Sequence, residues 1–140
     1  MNRLANLNQP IISVRGIRGA VVAEENSQEA IYTATSDLFR EILQHNPDLK
    51  PVEIASIFFT MTPDLDAAYP ALAVRQMGWK EVAMLCSQEI PVPDSLARCI
   101  RVLIHWNTYH TQEEIRHVYL GEASILRPDF ASRISTNAAE

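Results

Sequence analysis

An arginine stands in the middle of the apolar run "CIRVLIHW", residues 99–106. A permanent cation in that setting needs either water or an anion. On strand alternation Ile100, Val102, Ile104 and Trp106 share one face, and Cys99, Arg101, Leu103 and His105 share the other. The first set reads as a core face. The second has two readings. Either Arg101 lies on an edge in solvent, or it is a half-buried guanidinium that requires a partner, because an unpaired buried charge is too costly to keep.

Groups of similar chemistry recur along the chain. Arg18 lies between Gly16 and Gly19, at the expected end of the first strand, Arg75 on a helix and Arg127 near the C-terminus. The segment "CSQE", expected to follow the third strand, offers backbone N–H groups at Cys86, Ser87 and Gln88 and the carboxylate of Glu89, and Tyr119 adds a hydroxyl. Singly, each has an ordinary alternative: Arg18 a turn residue, Arg75 part of a solvated helix face, Glu89 a loop charge, Tyr119 an amphipathic core residue. No nucleophile–base pair accompanies them. The chain has no GxSxG, P-loop or GxGxxG motif, and Cys86 has no neighbouring histidine in sequence. His105, His110 and His117 lack an HExxH-type pattern and the two cysteines lack zinc spacing, so no metal is expected. Arginines with one carboxylate suit the binding of a small polyanion better than acid–base or covalent chemistry.

The elements that must position these groups follow from periodicity. Residues 11–20 read as a strand whose glycines allow close approach. A helix follows, with Ile31, Ala34, Leu38 and Ile42 as its apolar stripe and Asn26 with Glu29 at capping-box spacing. Pro47 and Pro51 bracket the turn that ends it. Residues 53–61 form an apolar, β-rich run expected to be buried on both faces. A second helix begins near Pro70 and ends at Gly78, and residues 81–86 and 99–106 are the third and fourth strands. Thr111 and Glu114 again have capping-box spacing and predict a helix. The order β-α-β-α-β-β-α describes one α+β (mixed α/β) domain with a mixed sheet and flanking helices. Residues 1–13 read as a flexible extension, 14–130 as the domain and 131–140 as a fraying tail. The apolar strand surface exceeds what one small sheet buries, which points to further copies of the chain.

Composition narrows the partners. The chain has 140 residues, 47% of them hydrophobic, and a net charge of −5, with a pI near 5.3. That suits a folded domain and disfavours nucleic acid or an anionic membrane as the main partner. No apolar run approaches the roughly 20 residues needed to cross a bilayer. The polar start and the two cysteines predict a reduced, cytoplasmic protein.

At this point the residues carry a resemblance. "RGIRGA" (15–20), "TPDLDAAYPALAVR" (62–75), "GW" (78–79), "CSQE" (86–89), "CIRV" (99–102), "IRHVYL" (115–120) and "LRPD" (126–129) occur with the order and spacing of the monofunctional AroH-class chorismate mutases. The resemblance covers residues 14 to 130, nearly the whole chain. It implies a mixed α/β domain that assembles as a homotrimer around a barrel-like core of sheets, with active sites between subunits. It implies conversion of chorismate to prephenate, on the way to phenylalanine and tyrosine, without metal or organic cofactor.

Carried over by position, the resemblance places Arg18 against a substrate carboxylate and Arg101 against the ether oxygen and a carboxylate. Glu89 accepts the ring hydroxyl, with Leu85, Cys86, Ser87 and Gln88 beside it. Tyr119 touches a carboxylate, Tyr69 and Arg75 come from the neighbouring subunit, and Leu126 and Arg127 help close the cleft. Departures are Tyr69, where the family usually has phenylalanine, Leu72 and Leu85, where it carries lysine and threonine, and the segment "HWNTYH" (105–110). A trimeric deaminase of the RidA type and a non-catalytic metabolite-binding trimer are the competing readings. The first does not account for "CSQE", "CIRV" and "IRHVYL" together, and the complete set of Arg18, Glu89, Arg101 and Tyr119 speaks against the second.

Overall fold

A computed structural model describes residues 10–130. The elements are β1 (Ser13–Val22), α1 (Gln28–His45), β2 (Ile54–Met61), α2 (Pro70–Gln76), β3 (Ala83–Gln88), β4 (Cys99–Thr108) and β5 (Val118–Tyr119). The sheet runs β3-β2-β4-β1-β5. Its central pairs, β2 with β4 and β4 with β1, are antiparallel, and the outer strands β3 and β5 pair in parallel.

The expected stripe of α1 is buried: Ile31, Leu38 and Ile42 have no exposed surface and Ala34 retains 7%. It packs with α2 on one face of the sheet, against Ile17, Ile57, Phe59, Ile100, Val102, Ile104 and Trp106. Gly19 makes that approach possible. A Cβ there would lie 3.0 Å from Val102 Cγ1 and 3.1 Å from Ile42 Cδ1, closer than ordinary contact, so a side chain would press on the helix and strand residues packed there. Helix α2 starts at Pro70, whose missing N–H costs nothing in a first turn, and Gly78 follows it with φ +100°.

Four expectations are corrected. Asn26 does not cap α1. Ser27 does, its Oγ accepting the Ala30 N–H at 3.1 Å, while the Asn26 carboxamide holds the loop after β2 by accepting the N–H groups of Asp66 and Ala67, each at 3.1 Å. Arg18 sits in the middle of β1, which runs two residues further than expected, to Val22. The second strand is buried on one face only: Ile57 and Phe59 are covered, Phe58 is 43% exposed, because both helices occupy the same side. Finally, the Thr111 N–H does donate to Glu114 Oε1 at 2.9 Å, but only a 3-10 turn, Gln112–Glu114, follows. The chain is needed elsewhere: the Asn46 carboxamide bonds the N–H and C=O of Arg116 at 3.1 and 2.9 Å, and Val118–Tyr119 add an edge strand beside β1. These tertiary bonds outweigh the local helix signal. The flexible lead-in and the tail fall largely outside the described residues.

Candidate active site

The face of the sheet away from the helices carries the charged groups. One row crosses all five strands: Tyr119 pairs with Ala20, Ala20 with Arg101, Arg101 with Thr60 and Thr60 with Ser87. Residues two apart on a strand share a face, so Arg18 and Glu89 flank this row at either side. Ala20 leaves room between the Tyr119 ring and the Arg101 guanidinium.

Glu89 is fixed by main chain and side chain together. Its N–H donates to Met61 O at 2.8 Å, continuing the β2–β3 ladder by one step. Its Oε2 accepts the Thr60 hydroxyl at 2.7 Å and lies 3.4 Å from Arg101 Nε. The Thr60 hydroxyl, then the guanidinium of Arg101, the Ile90 N–H and the field of Arg18 hold the carboxyl below its ordinary pKa, against an opposing push from partial burial. Thr60 was not singled out in the sequence. Its signal was there, one residue past "FF" on a strand paired with β4, but reading it required the register.

Arg101 is the half-buried cation, its side chain 25% exposed. The pair with Glu89 is an ion pair by distance, yet Nε makes no hydrogen bond within the geometric limits among the described residues. The buried hydroxyl of Tyr119 likewise has no hydrogen-bond partner there. Burial pushes the Tyr119 phenol up despite the fields of Arg18, Arg127 and Arg101, so it stays protonated and able to donate. Two buried donors and the Arg18 guanidinium thus converge on one face with the Glu89 carboxylate, and the field of Asp129, itself forked to Arg127, reaches Tyr119 from the C-terminal segment. Buried donors without a protein partner are uncommon in folded chains, and a bound ligand or ordered water commonly satisfies them.

The C-terminal segment closes one side. The Arg127 guanidinium lies 3.7 Å over the Phe130 ring and forks to Asp129 at 2.8 and 3.1 Å. Phe130 stacks at 4.1 Å on His117, whose Nδ1 accepts the Arg18 N–H at 2.9 Å. Leu126 packs with Ala20, Cys99, Tyr119 and Ala123. Phe130 too went unremarked in the sequence.

Of the remaining expected residues, Leu85 and Ser87 also stand on this face, whereas Tyr69, Arg75, Cys86 and Gln88 do not. Cys86 pairs with Phe59 and its thiol turns to the helix side, where burial raises its pKa. Tyr69, 70% exposed, lines a separate groove of about 320 Å³ with Met61, Thr62, Leu65, Cys86, Ser87 and Gln88. Arg75 is exposed on α2, and Leu85 stands on the open face at 58% exposure. Within one chain the candidate residues therefore form two half-sites.

Known proteins bear on this arrangement. The family model described as chorismate mutase type I matches residues 14–130. A chorismate mutase AroH of Thermus thermophilus is 50% identical over 119 residues, covering 85% of this chain and 98% of its own. One from Bacillus subtilis (strain 168) is 41% identical over 119 residues, covering 84% and 93%. A solved chorismate mutase from Clostridium thermocellum superposes with a TM-score of 0.76 at 45% identity, covering 79% of this chain and 97% of that one. The chain belongs to the type I chorismate mutase family.

Proposed function

We propose that this family member catalyses the rearrangement of chorismate to prephenate by charge placement and conformational restriction, with Arg101, Arg18 and Glu89 as its principal groups. The observation that carries this is the row of buried donors, Arg101 Nε and the Tyr119 hydroxyl, beside the fixed carboxylate of Glu89. Chorismate is a dianion with a ring hydroxyl, and its rearrangement is unimolecular and pericyclic. No proton needs to move. What a protein supplies is a compact, near-reactive conformer and a cation where charge develops as the ether bond breaks. Arg101 serves the ether oxygen and a carboxylate, Arg18 and Tyr119 carboxylate oxygens, and Glu89 accepts the hydroxyl, with Ser87, Gln88 and the main chain at Cys86 and Leu85 beside it. Leu126 and Arg127 close the cleft.

The two half-sites motivate a homotrimer in which the Tyr69 groove of one subunit, with Arg75 on α2, meets the Arg101 row of the next. The exposed Val14, Phe58 and Leu85 of the open face favour the same assembly, since apolar surface gains about 25 cal/mol per Å² on burial. We take residues 14–130 as the catalytic domain and place the protein in the cytoplasm. Among the described residues no helix is long and apolar enough to cross a membrane. The test is direct: purified protein should consume chorismate and form prephenate stoichiometrically without added metal or cofactor. Binding of chorismate without turnover would overturn the catalytic reading in favour of a metabolite sensor.

A further inference from the structure

We propose that Asp64 is a positioning residue for Arg101, acting through Thr62 and the backbone of Arg98 and Cys99. The proposal rests on the role given to Arg101 above. The chain enters β4 through an unfavourable conformation: Arg98 has φ 51°, in the left-handed region that non-glycine residues avoid. Something must hold it there. Asp64 Oδ2 accepts the Arg98 N–H at 2.8 Å, and Oδ1 accepts the Thr62 hydroxyl at 2.5 Å. That same Thr62 oxygen accepts the Cys99 N–H at 3.0 Å, and the Thr62 N–H donates to Cys99 O at 3.1 Å. On the other flank, Arg98 Nε donates to Ala23 O at 2.9 Å and the Ala23 N–H to Arg98 O at 2.8 Å.

These bonds fix where β4 begins. Side chains alternate along a strand, so a slip of one residue would turn Arg101 into the helix-side core and Val102 onto the open face. Smaller shifts matter as well. Arg101 lies two residues beyond Cys99 and opposite Thr60, whose hydroxyl holds Glu89. The anchored start therefore sets Arg101 against both Thr60 and the carboxylate 3.4 Å from it. Asp64 bonds Thr62 and the Arg98 N–H, not a member of this row. Its effect passes through the backbone.

A residue of purely structural importance would lower stability and leave the chemistry of each folded site unchanged. A positioning residue for Arg101 loses its effect once Arg101 is gone. Asp64→Ala is expected to lower kcat by roughly 10- to 100-fold, the scale of a small misplacement, with KM within about threefold of the parent. In an Arg101→Lys background the same change should cost less than about twofold, because the two substitutions act on one interaction. Asp64→Asn keeps an oxygen for the Arg98 N–H and should recover most of the loss. Should Asp64→Ala fail to fold, Thr62→Val tests the same anchor, with the same dependence on the Arg101 background. Amide exchange at Arg98 and Cys99 should quicken in Asp64→Ala. Parent-like kcat in a folded Asp64→Ala protein, or an equal fold-loss in both backgrounds, would overturn the proposal. If the parent itself does not turn over chorismate, the functional reading fails. The exchange result then decides the anchor alone, unchanged protection at Arg98 and Cys99 sinking it.

Discussion

The two faces of this sheet are made from the same strands by alternate residues, and they obey different rules. On the helix side Ile57, Phe59, Ile100, Val102, Ile104 and Trp106 are almost wholly buried and carry no charge. On the open side Phe58, Leu85 and Val14 stand partly exposed between Arg18, Arg101 and His105. A face that completes its burial within one chain has no use for polar atoms. A face that leaves buried donors unmatched among the described residues, as Arg101 Nε and the Tyr119 hydroxyl are, is costly for a protein that only needs to fold. The difference separates what holds the chain together from what it is for, and substitutions on the two faces should separate in the same way.

The largest effect is expected on the helix side. Phe59 has no exposed surface, and its ring lies 5.8 Å from that of Phe39. Phe59→Ala should cost about 3–5 kcal/mol of stability in denaturant titration, while the neighbouring Phe58→Ala should cost far less within a single chain. Equal losses would show that the open face is as fully packed as the core.

On the open side the loss should fall on chemistry. Lysine keeps the cation of Arg101 but not the fork that we propose spans ether and carboxylate oxygens. Arg101→Lys should lower kcat by roughly 10²-fold or more, on the order of 3 kcal/mol, as for loss of one preorganised donor, and leave the melting temperature close to the parent. Wild-type kcat in a well-folded Arg101→Lys enzyme would mean that the cation only holds the substrate. Assembly gives a related test. Tyr69→Ala and Arg101→Ala chains, each inactive alone, should regain activity when mixed and allowed to exchange subunits. A fully active monomer in sedimentation would end the shared-site reading.

How far the sequence reached follows the same division. The helix stripe and the alternation of residues 99–106 were legible because burial imposes period on sequence. The family strings placed Arg18, Glu89, Arg101 and Tyr119 in order, and the structure brings those four to one face. Thr60 and Phe130 were not legible, since each matters through a partner distant in sequence, Glu89 and His117 respectively. The helix expected after Thr111 failed for a related reason: its cap is real, but Asn46 and β1 capture the residues that follow. Asn26 was read as a local cap when its partners lie 40 residues away.

A smaller effect concerns pH. Glu89 is held below its ordinary pKa by the Thr60 hydroxyl and Arg101, and Tyr119 is pushed above its own by burial. Neither changes protonation between about pH 6 and 9, and the reaction transfers no proton. A nearly flat kcat over that range is expected, measured at saturating chorismate. A bell-shaped profile centred near neutrality would point to acid–base chemistry on this face instead.

The smallest expected effect lies away from both faces, in the divergent segment that ends at His110. Its Nε2 lies 2.5 Å from Asp48 Oδ2 and its Nδ1 3.3 Å from Glu114 Oε2, while Arg15 Nε donates to its carbonyl oxygen at 3.0 Å. The ring also packs against Trp106, with centroids 5.3 Å apart. Hydrogen bonding to Asp48 raises its pKa most, burial opposes that rise, and the hydrogen bond to Glu114 and the charges of both carboxylates add to it. A histidine whose folded pKa exceeds its unfolded one, about 6.5, stabilises the protein fully below the unfolded value. The gain is lost as pH rises through the folded value. The imidazole is partly exposed and its carboxylates more so, which screens the effect. His110→Gln should therefore melt roughly 2 °C below the parent near pH 6, with the gap closing as pH rises through the raised folded value. The same change should leave kcat untouched, because His110 shares no partner with the Arg101 row. A gap that widened with rising pH would mean that His110 is held neutral and that the two carboxylates do not govern it.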